Sequence, residues 1–416
     1  MVKYQTTFVS FQKEDTLDKK VVLTAAIVVA FLLSSSILVM FYNQDNDDKE
    51  INLIARVNTE GSGIYIDDKY SASDFIDVDS DGTPLIGEDG TITYHPEFWE
   101  GKIFGTPGPT TIQHVQLKSI VESMGLRFML YTTGADTSPG CGVVYYNDSI
   151  TNAAAFENSP QLDGGIIWQP QYQAMLESTV RPCVSLMTSA DYDPGHTCCV
   201  IGASHEFITS NSDITVRFLA GYIKSVDWVN NAIADKSSDE YAELVQLAMD
   251  RTGISNRAVI EASLDSVNYV YGNDATLGDT ADKPLASLED AVADLVDNLG
   301  LANSVERQGF SDTYEFAQRY VNGGYLAKAL DYEKSESGYS MSTVRVGVIA
   351  GDIHQIAIHL GIEKGFYEEY GINVEVSSAS NGGGVATSLQ NGEVVFGFVG
   401  APPITTAVIN GSLIPS

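Results

Sequence analysis

The chain has 416 residues, 44% of them hydrophobic, with 37 Gly and a formal charge of −32. That is apolar material for more than one compact unit. The acidic balance argues against nucleic acid or an anionic membrane surface as a partner and suits a solvated body in water outside a cell.

Residues 21–42 form an almost unbroken apolar run, long enough at about 1.5 Å per residue to span a bilayer. Lys13, Lys19 and Lys20 precede it, and Asp45, Asp47 and Asp48 follow. The positive-inside rule then predicts a single-pass anchor in the cell membrane, with 1–20 cytoplasmic and the rest outside. The rival is a cleaved signal peptide, although the run is long for one and no small-x-small site follows. After the acidic spacer 45–50, residues 51–57 read as a short strand ending in a turn, 58–63. The acidic segment 67–96 reads as a surface hairpin or loop. A strand at 101–105 and a turn at 106–109 lead to a helix over 110–124, with Thr110 or Thr111 as N-cap and Gly125 as its stop. Ile112, Val115, Leu117, Ile120, Val121 and Met124 give that helix an apolar face.

Residues 163–168 and 198–203 are short apolar runs expected as buried strands. Helical periodicity covers 213–235, 238–252, 255–264, 285–299, 312–322 and 324–330. Residues 331–342 are polar and aperiodic, a linker. Then 344–376 reads as strand, glycine turn, amphipathic helix and second strand. The turn Ser380-Asn-Gly-Gly-Gly384, a helix over 385–391, a strand over 394–399, the turn Gly400-Ala-Pro-Pro403 and a last helix over 404–409 follow. This alternation predicts an α/β architecture with largely parallel sheets.

The cysteines are Cys141, Cys183, Cys198 and Cys199, without metal-ligand spacing. A disulfide is permitted outside a cell, and Cys141–Cys183 is the unforced pair; the competing reading is small buried hydrophobes. The run His196-Thr-Cys-Cys199 lacks the second ligand pair of a zinc site. There is no Gly-x-Ser-x-Gly elbow, phosphate loop or His-Glu-x-x-His. No catalytic residue, cofactor or metal is expected.

The tail from Val344 resembles the opening of two-lobed solute-binding proteins of the nitrate/sulfonate/taurine type, the receptors of ABC importers. Lys364-Gly365-Phe366, the glycine-rich turn, Asn391-Gly392-Glu393 and the Gly-x-Pro-Pro-like turn carry the resemblance. Gly101-Lys102 through Pro107-Gly108 resembles the start of that family's second lobe. Joining Ile414 to Ile51 restores the family's order. The resemblance thus implies a circular permutation, with 331–342 linking the old ends; the rival is a tandem array of two truncated copies. It also implies a type II periplasmic-binding-protein fold of two lobes, each a mixed, mostly parallel sheet with helices on both faces. Residues 43–100 would hold the spacer, the start of lobe 1 and the crossover, 101–212 lobe 2, 213–330 helices returning mainly to lobe 1, and 343–416 the first half of lobe 1. The permutation requires 51–57 and 394–399 to share one sheet.

Open α/β sheets bind ligands beyond the carboxyl ends of their strands, and two facing lobes make a cleft that closes by hinge motion. The expected contacts are Gly351, Asp352, His354, Gln355, Asn381, Gly382, Gly383, Gly400, Ala401, Pro402, Glu60 and Ser62 from lobe 1. From lobe 2 they are Pro107, Thr110, Thr111, Trp168 and His196. Glycine turns expose backbone N–H groups, and helix N-termini favour anions. A plainer reading makes the glycines simple turn residues and Trp168 part of the core. His114 and His359, inside helices, are expected at the surface or between helices rather than on a ligand. With no Arg or Lys inside these loops, a monoanion or a neutral heterocycle suits the cleft. The resemblance implies a receptor without chemistry that captures a sulfonate, taurine, nitrate or bicarbonate and docks on a membrane permease. The alternatives are a pyrimidine (thiamine-precursor) binding protein and a membrane-anchored sensor. Related enzymes build that pyrimidine on a pyridoxal cofactor, but no lysine stands beside His354 to hold one.

Overall fold

The computed structural model describes residues 50–336 and 338–412. The expected anchor at 21–42, the segment 1–20 and the spacer up to residue 49 lie outside the described residues. Among the described residues, no helix is long and apolar enough to cross a membrane.

Twelve strands are described: β1 Ile51–Glu60, β2 Ser62–Asp67, β3 Ile103–Gly105, β4 Arg127–Leu130, β5 Val143–Asn147, β6 Gly164–Trp168, β7 Cys183–Thr188, β8 Thr197–Ser204, β9 Val267–Tyr269, β10 Ser342–Ile349, β11 Ile372–Ala379 and β12 Phe396–Gly400. They form two six-stranded sheets, ordered β11-β10-β12-β8-β1-β9 and β4-β5-β3-β6-β2-β7. In the first, β10 runs parallel to β11 and β12, whereas β8, β1 and β9 alternate in direction. In the second, β4, β5, β3 and β6 are parallel, and β2 is antiparallel to β6 and β7. The architecture is mixed α/β, with helices on both faces of the sheets.

Head and tail therefore complete one sheet. Phe396 of β12 pairs with Ala203 of β8, which pairs in turn with Asn52 of β1. One continuous core holds Ile51 and Leu53 together with Val346 and Phe396. The condition set by the permuted order, 51–57 and 394–399 in one sheet, is met.

Strand alternation explains the coverage of both faces. On β12, Phe396 stacks on Phe218 at 4.2 Å and Phe398 meets Tyr222 at 5.3 Å, both on the helix Ser212–Ala234. Gly397, on the opposite face, lies against Val385 and Leu389 of the helix Gly382–Gln390. Buried positions 215, 218, 219, 222, 226 and 229 make one stripe along the helix Ser212–Ala234. In the second sheet, Ile64 and Ile66 enter one core cluster, and Tyr65 between them enters another.

Several boundaries differ from the sequence expectation. Residues 58–63 are not a turn: β1 runs to Glu60, and β2 begins at Ser62 in the other sheet. The Thr59 and Ser62 side chains are tolerated there because they are paired: Asn268 donates to Thr59 Oγ1 at 3.0 Å, and Gln113 Nε2 donates to Ser62 Oγ at 2.9 Å. The second sheet thus begins at 62 rather than 101, and β8 returns the chain to the first sheet at 197, before the expected 212. The segment 67–96 holds a short helix, Ala72–Phe75, and hairpin-like bridges Ile76↔Tyr94, Val78↔Pro84 and Ile86↔Ile92. Among its described residues the linker lacks helix and strand up to Ser342, yet Tyr332 and Tyr339 stack at 6.5 Å, and Arg217 lies 5.1 Å from the Tyr339 ring centre. All four cysteines are free thiols, so Cys141–Cys183 is not bonded, and Cys141 is not buried.

Candidate functional site

The chain passes between the sheets twice: at Gly61, between β1 and β2, and through the short helix Ser189–Tyr192 and the turn 193–196, between β7 and β8. The two passages are bonded together. Ser62 meets Ser189, and the Gly195 N–H donates to a Glu60 carboxylate oxygen. His196 Nδ1 lies 3.6 Å from the other oxygen. Burial pushes the Glu60 carboxyl above its usual range, against the pull of His196. Gly61 has φ +89, and a Cβ there would collide with the His354 ring, so glycine is required. Its carbonyl accepts from the Gln169 N–H at 2.8 Å and from His354 Nε2 at 3.1 Å.

Beside these passages a cleft of about 410 Å³ opens between the two sheets. Its walls are the segments following β10, β11 and β12 on one side and β3, β5 and β6 on the other, all carboxyl ends of parallel strands. Helix starts from both sheets converge on it. Thr111 caps the helix Ile112–Ser123, accepting from the His114 N–H at 3.3 Å. Asn381 caps the helix Gly382–Gln390, accepting from the Gly384 N–H at 3.0 Å. Gly400 precedes the helix Ala401–Ser412. Both capping residues and Gly400 line the cleft. Each helix start carries unpaired N–H donors and the positive end of its dipole. No Lys or Arg lines the cleft among the described residues.

His354 forms part of the floor and is 1% exposed. Its Nδ1 lies 2.9 Å from Asp352 Oδ1 and its Nε2 faces the Gly61 carbonyl, so both nitrogens donate and the ring is an imidazolium. Burial opposes that charge, but Asp352, Cys198 and the Gly61 carbonyl outweigh it and push the group up to about 9. Cys198 and Cys199 lie beside it, their sulfurs 3.9 Å apart. The Cys199 thiol donating to Cys198, with help from His354, holds Cys198 below the usual thiol range; the same contact and burial push Cys199 up.

Of the residues expected at the site, Pro107, Thr111, Trp168, Asp352, His354, Asn381, Gly382 and Gly400 line this cleft. Gly351, Gly383 and Pro402 flank it without lining it. Gln355 is fully buried and engaged: it accepts from the Ile349 N–H at 2.8 Å and donates to the Phe398 carbonyl at 3.1 Å, making it a latch between β10 and β12. Thr110 is exposed outside the cleft, because Thr111 takes the cap. Glu60 and Ser62 line a separate cavity of about 360 Å³ behind the crossing. His196 and Ala401 line a third, of about 570 Å³, against the helix Ala286–Asn298. That cavity is larger, but Asp193, Asp290 and Asp294 line it and Asp279 neutralises its Arg56 at 3.7 Å, which disfavours an anion.

His114 and His359 do not line the cleft. His114 packs on Phe128 and Tyr146, and burial pulls it down to about 4. His359 is likewise held down to about 4 by burial and by Arg251. Gln113, Ser149, Thr151 and Ser380 also line the cleft, as do the two cysteines. The cysteines escaped sequence reasoning because their companion, His354, comes from the far end of the chain. No family model matches the chain, and neither does any curated protein or solved structure.

Proposed function

We propose that this chain is a solute-binding receptor that captures a small monoanion, of the sulfonate, taurine, nitrate or bicarbonate kind, between its two sheets. One observation carries the reading: helix starts from both sheets meet at the carboxyl ends of parallel strands around a single cleft without a lysine or arginine. Such a site offers backbone donors and partial positive charge, enough for one negative charge and poorly matched to two. A volume of about 410 Å³ suits a small organic or inorganic anion. The crossings at Gly61 and 193–196 supply hinge points for closure. The sheet order and the tail's resemblance to ABC-importer receptors support an extracytoplasmic site and a membrane permease as the docking partner.

Thermal-shift screening of the full-length chain against taurine, alkanesulfonates, nitrate, bicarbonate and pyrimidine precursors tests this. A ligand at one hundred times its Kd stabilises the fold by about 2.7 kcal/mol, a shift of several degrees. The expected result is a shift with one of the monoanions. Shifts confined to the neutral pyrimidines would replace the anion reading, and no shift with any compound would remove it.

A further inference from the structure

We propose that Cys198, Cys199 and His354 form a binding site for a thiophilic d10 cation, with zinc as the type ion, on the floor of the cleft. Their donor atoms all lie within 4.8 Å of one another. Two thiolates about 2.3 Å from a tetrahedral zinc stand about 3.8 Å apart. The two sulfurs are separated by 3.9 Å. The pair is therefore already at chelating distance.

Adjacent residues on a strand normally point to opposite faces. Here the pairing of β8 with β1 goes from Cys199↔Asn58 to Thr197↔Thr59 and passes over Cys198. The extra residue is a bulge, the device that re-aims a side chain beside a site. It turns what would be one inward and one outward thiol into a chelating pair. Both are free. The third donor comes from the turn after β10, which the sheet brings beside β8. Asp352 accepts from His354 Nδ1 at 2.9 Å, the carboxylate-to-imidazole contact that orients metal-binding histidines and raises their basicity. Coordination through Nε2 exchanges its bond to the Gly61 carbonyl for the metal. Both cysteines bind as thiolates and His354 as a neutral imidazole, so the imidazolium releases its Nε2 proton to the buffer together with the protons the thiols carry.

Two sulfurs and one nitrogen make the donor set of zinc sites that keep a fourth position for water or another ligand. All three residues line the cleft, so that position opens into it. Soft thiolates exclude magnesium and calcium. The cation site stands on its own donors, whether or not the cleft also takes an anion.

The test is anaerobic titration of the reduced full-length chain with Cd²⁺, followed by thiolate-to-cadmium absorption, with zinc affinity measured against a chromophoric chelator. The expected result is saturation at one cation per chain. Cys198→Ser and Cys199→Ser each remove the absorption band, Asp352→Asn weakens zinc by about tenfold to a hundredfold, and Cys141→Ser and Cys183→Ser change nothing. X-ray absorption on the zinc-loaded unsubstituted chain needs no variant and should show two sulfur neighbours at about 2.3 Å. A shell of oxygen and nitrogen alone, or a band lost with Cys141 or Cys183 instead, would overturn the assignment. The anion screen is read separately on metal-free protein, so a failure of either reading is distinguishable from a failure of the other.

Discussion

Replacing His354 by alanine probes the joint between the tail and the crossing. The imidazolium is held by Asp352 at 2.9 Å and by the Gly61 carbonyl at 3.1 Å. Its side chain is 1% exposed and that of Asp352 5%. Removing the ring leaves a buried carboxylate without its counter-charge, a loss of about 3–5 kcal/mol. The Gly61 carbonyl keeps its bond from the Gln169 N–H, so that end adds less than about 1 kcal/mol. Against a total stability of about 5–15 kcal/mol, this is a large fraction. Asp352→Asn alone should also destabilise, but Asp352→Asn with His354→Gln removes both charges together and should recover about 2 kcal/mol of the summed cost. The assay is urea unfolding of the full-length chain at neutral pH with a chelator present, followed by tryptophan fluorescence. A cost below about 1 kcal/mol for His354→Ala, or additivity within about 0.5 kcal/mol, would refute the coupling.

Phe396→Ala removes the ring that stacks on Phe218 at 4.2 Å and should cost about 3–5 kcal/mol in the same assay; a small loss would detach the tail from the core. Gly61→Ala forces a side chain into the His354 ring at φ +89 and should lower the thermal midpoint by several degrees, whereas Gly90→Ala, also at positive φ but with open space around it, should cost much less. His114 is neutral in the fold, held down to about 4 from an ordinary 6.5 by burial, so its stabilising contribution is complete above about 6.5 and is lost as pH falls through about 4. The full span is about 3 kcal/mol. His114→Gln should flatten the stability decline across that window, and an unchanged decline would contradict the assignment. A chain of formal charge −32 repels an incoming anion at long range, so the association rate of a monoanion should rise with added salt, as stopped-flow measurement would show.

Where local chemistry was unambiguous, the elements were legible in the sequence. Thr111 and Ser238 cap helices as their side chains suggest, Gly125 ends one at φ +76, and the segment beginning Gly324 folds as the periodicity requires. The loops after β10, β11 and β12 were found because glycine and asparagine mark strand ends beside helix starts. The extension of β1 through Asn58 and Thr59 was not legible, because polar residues in a buried strand reveal themselves only through partners that are distant in sequence. Gln355 looked like a ligand contact for the same reason: nothing near it in the sequence shows that β10 and β12 consume its amide. The cysteine pair needed both a bulge, set by the register of β1 against β8, and a histidine brought from the tail.

Calorimetric titration of the full-length chain with the monoanion panel, repeated on Thr111→Ala and Asn381→Ala, tests the capture cleft most directly. The account predicts one solute bound at one per chain and weakened about tenfold by each substitution, because each disturbs a helix start from a different sheet. A silent panel, or an affinity that neither substitution moves, would contradict it.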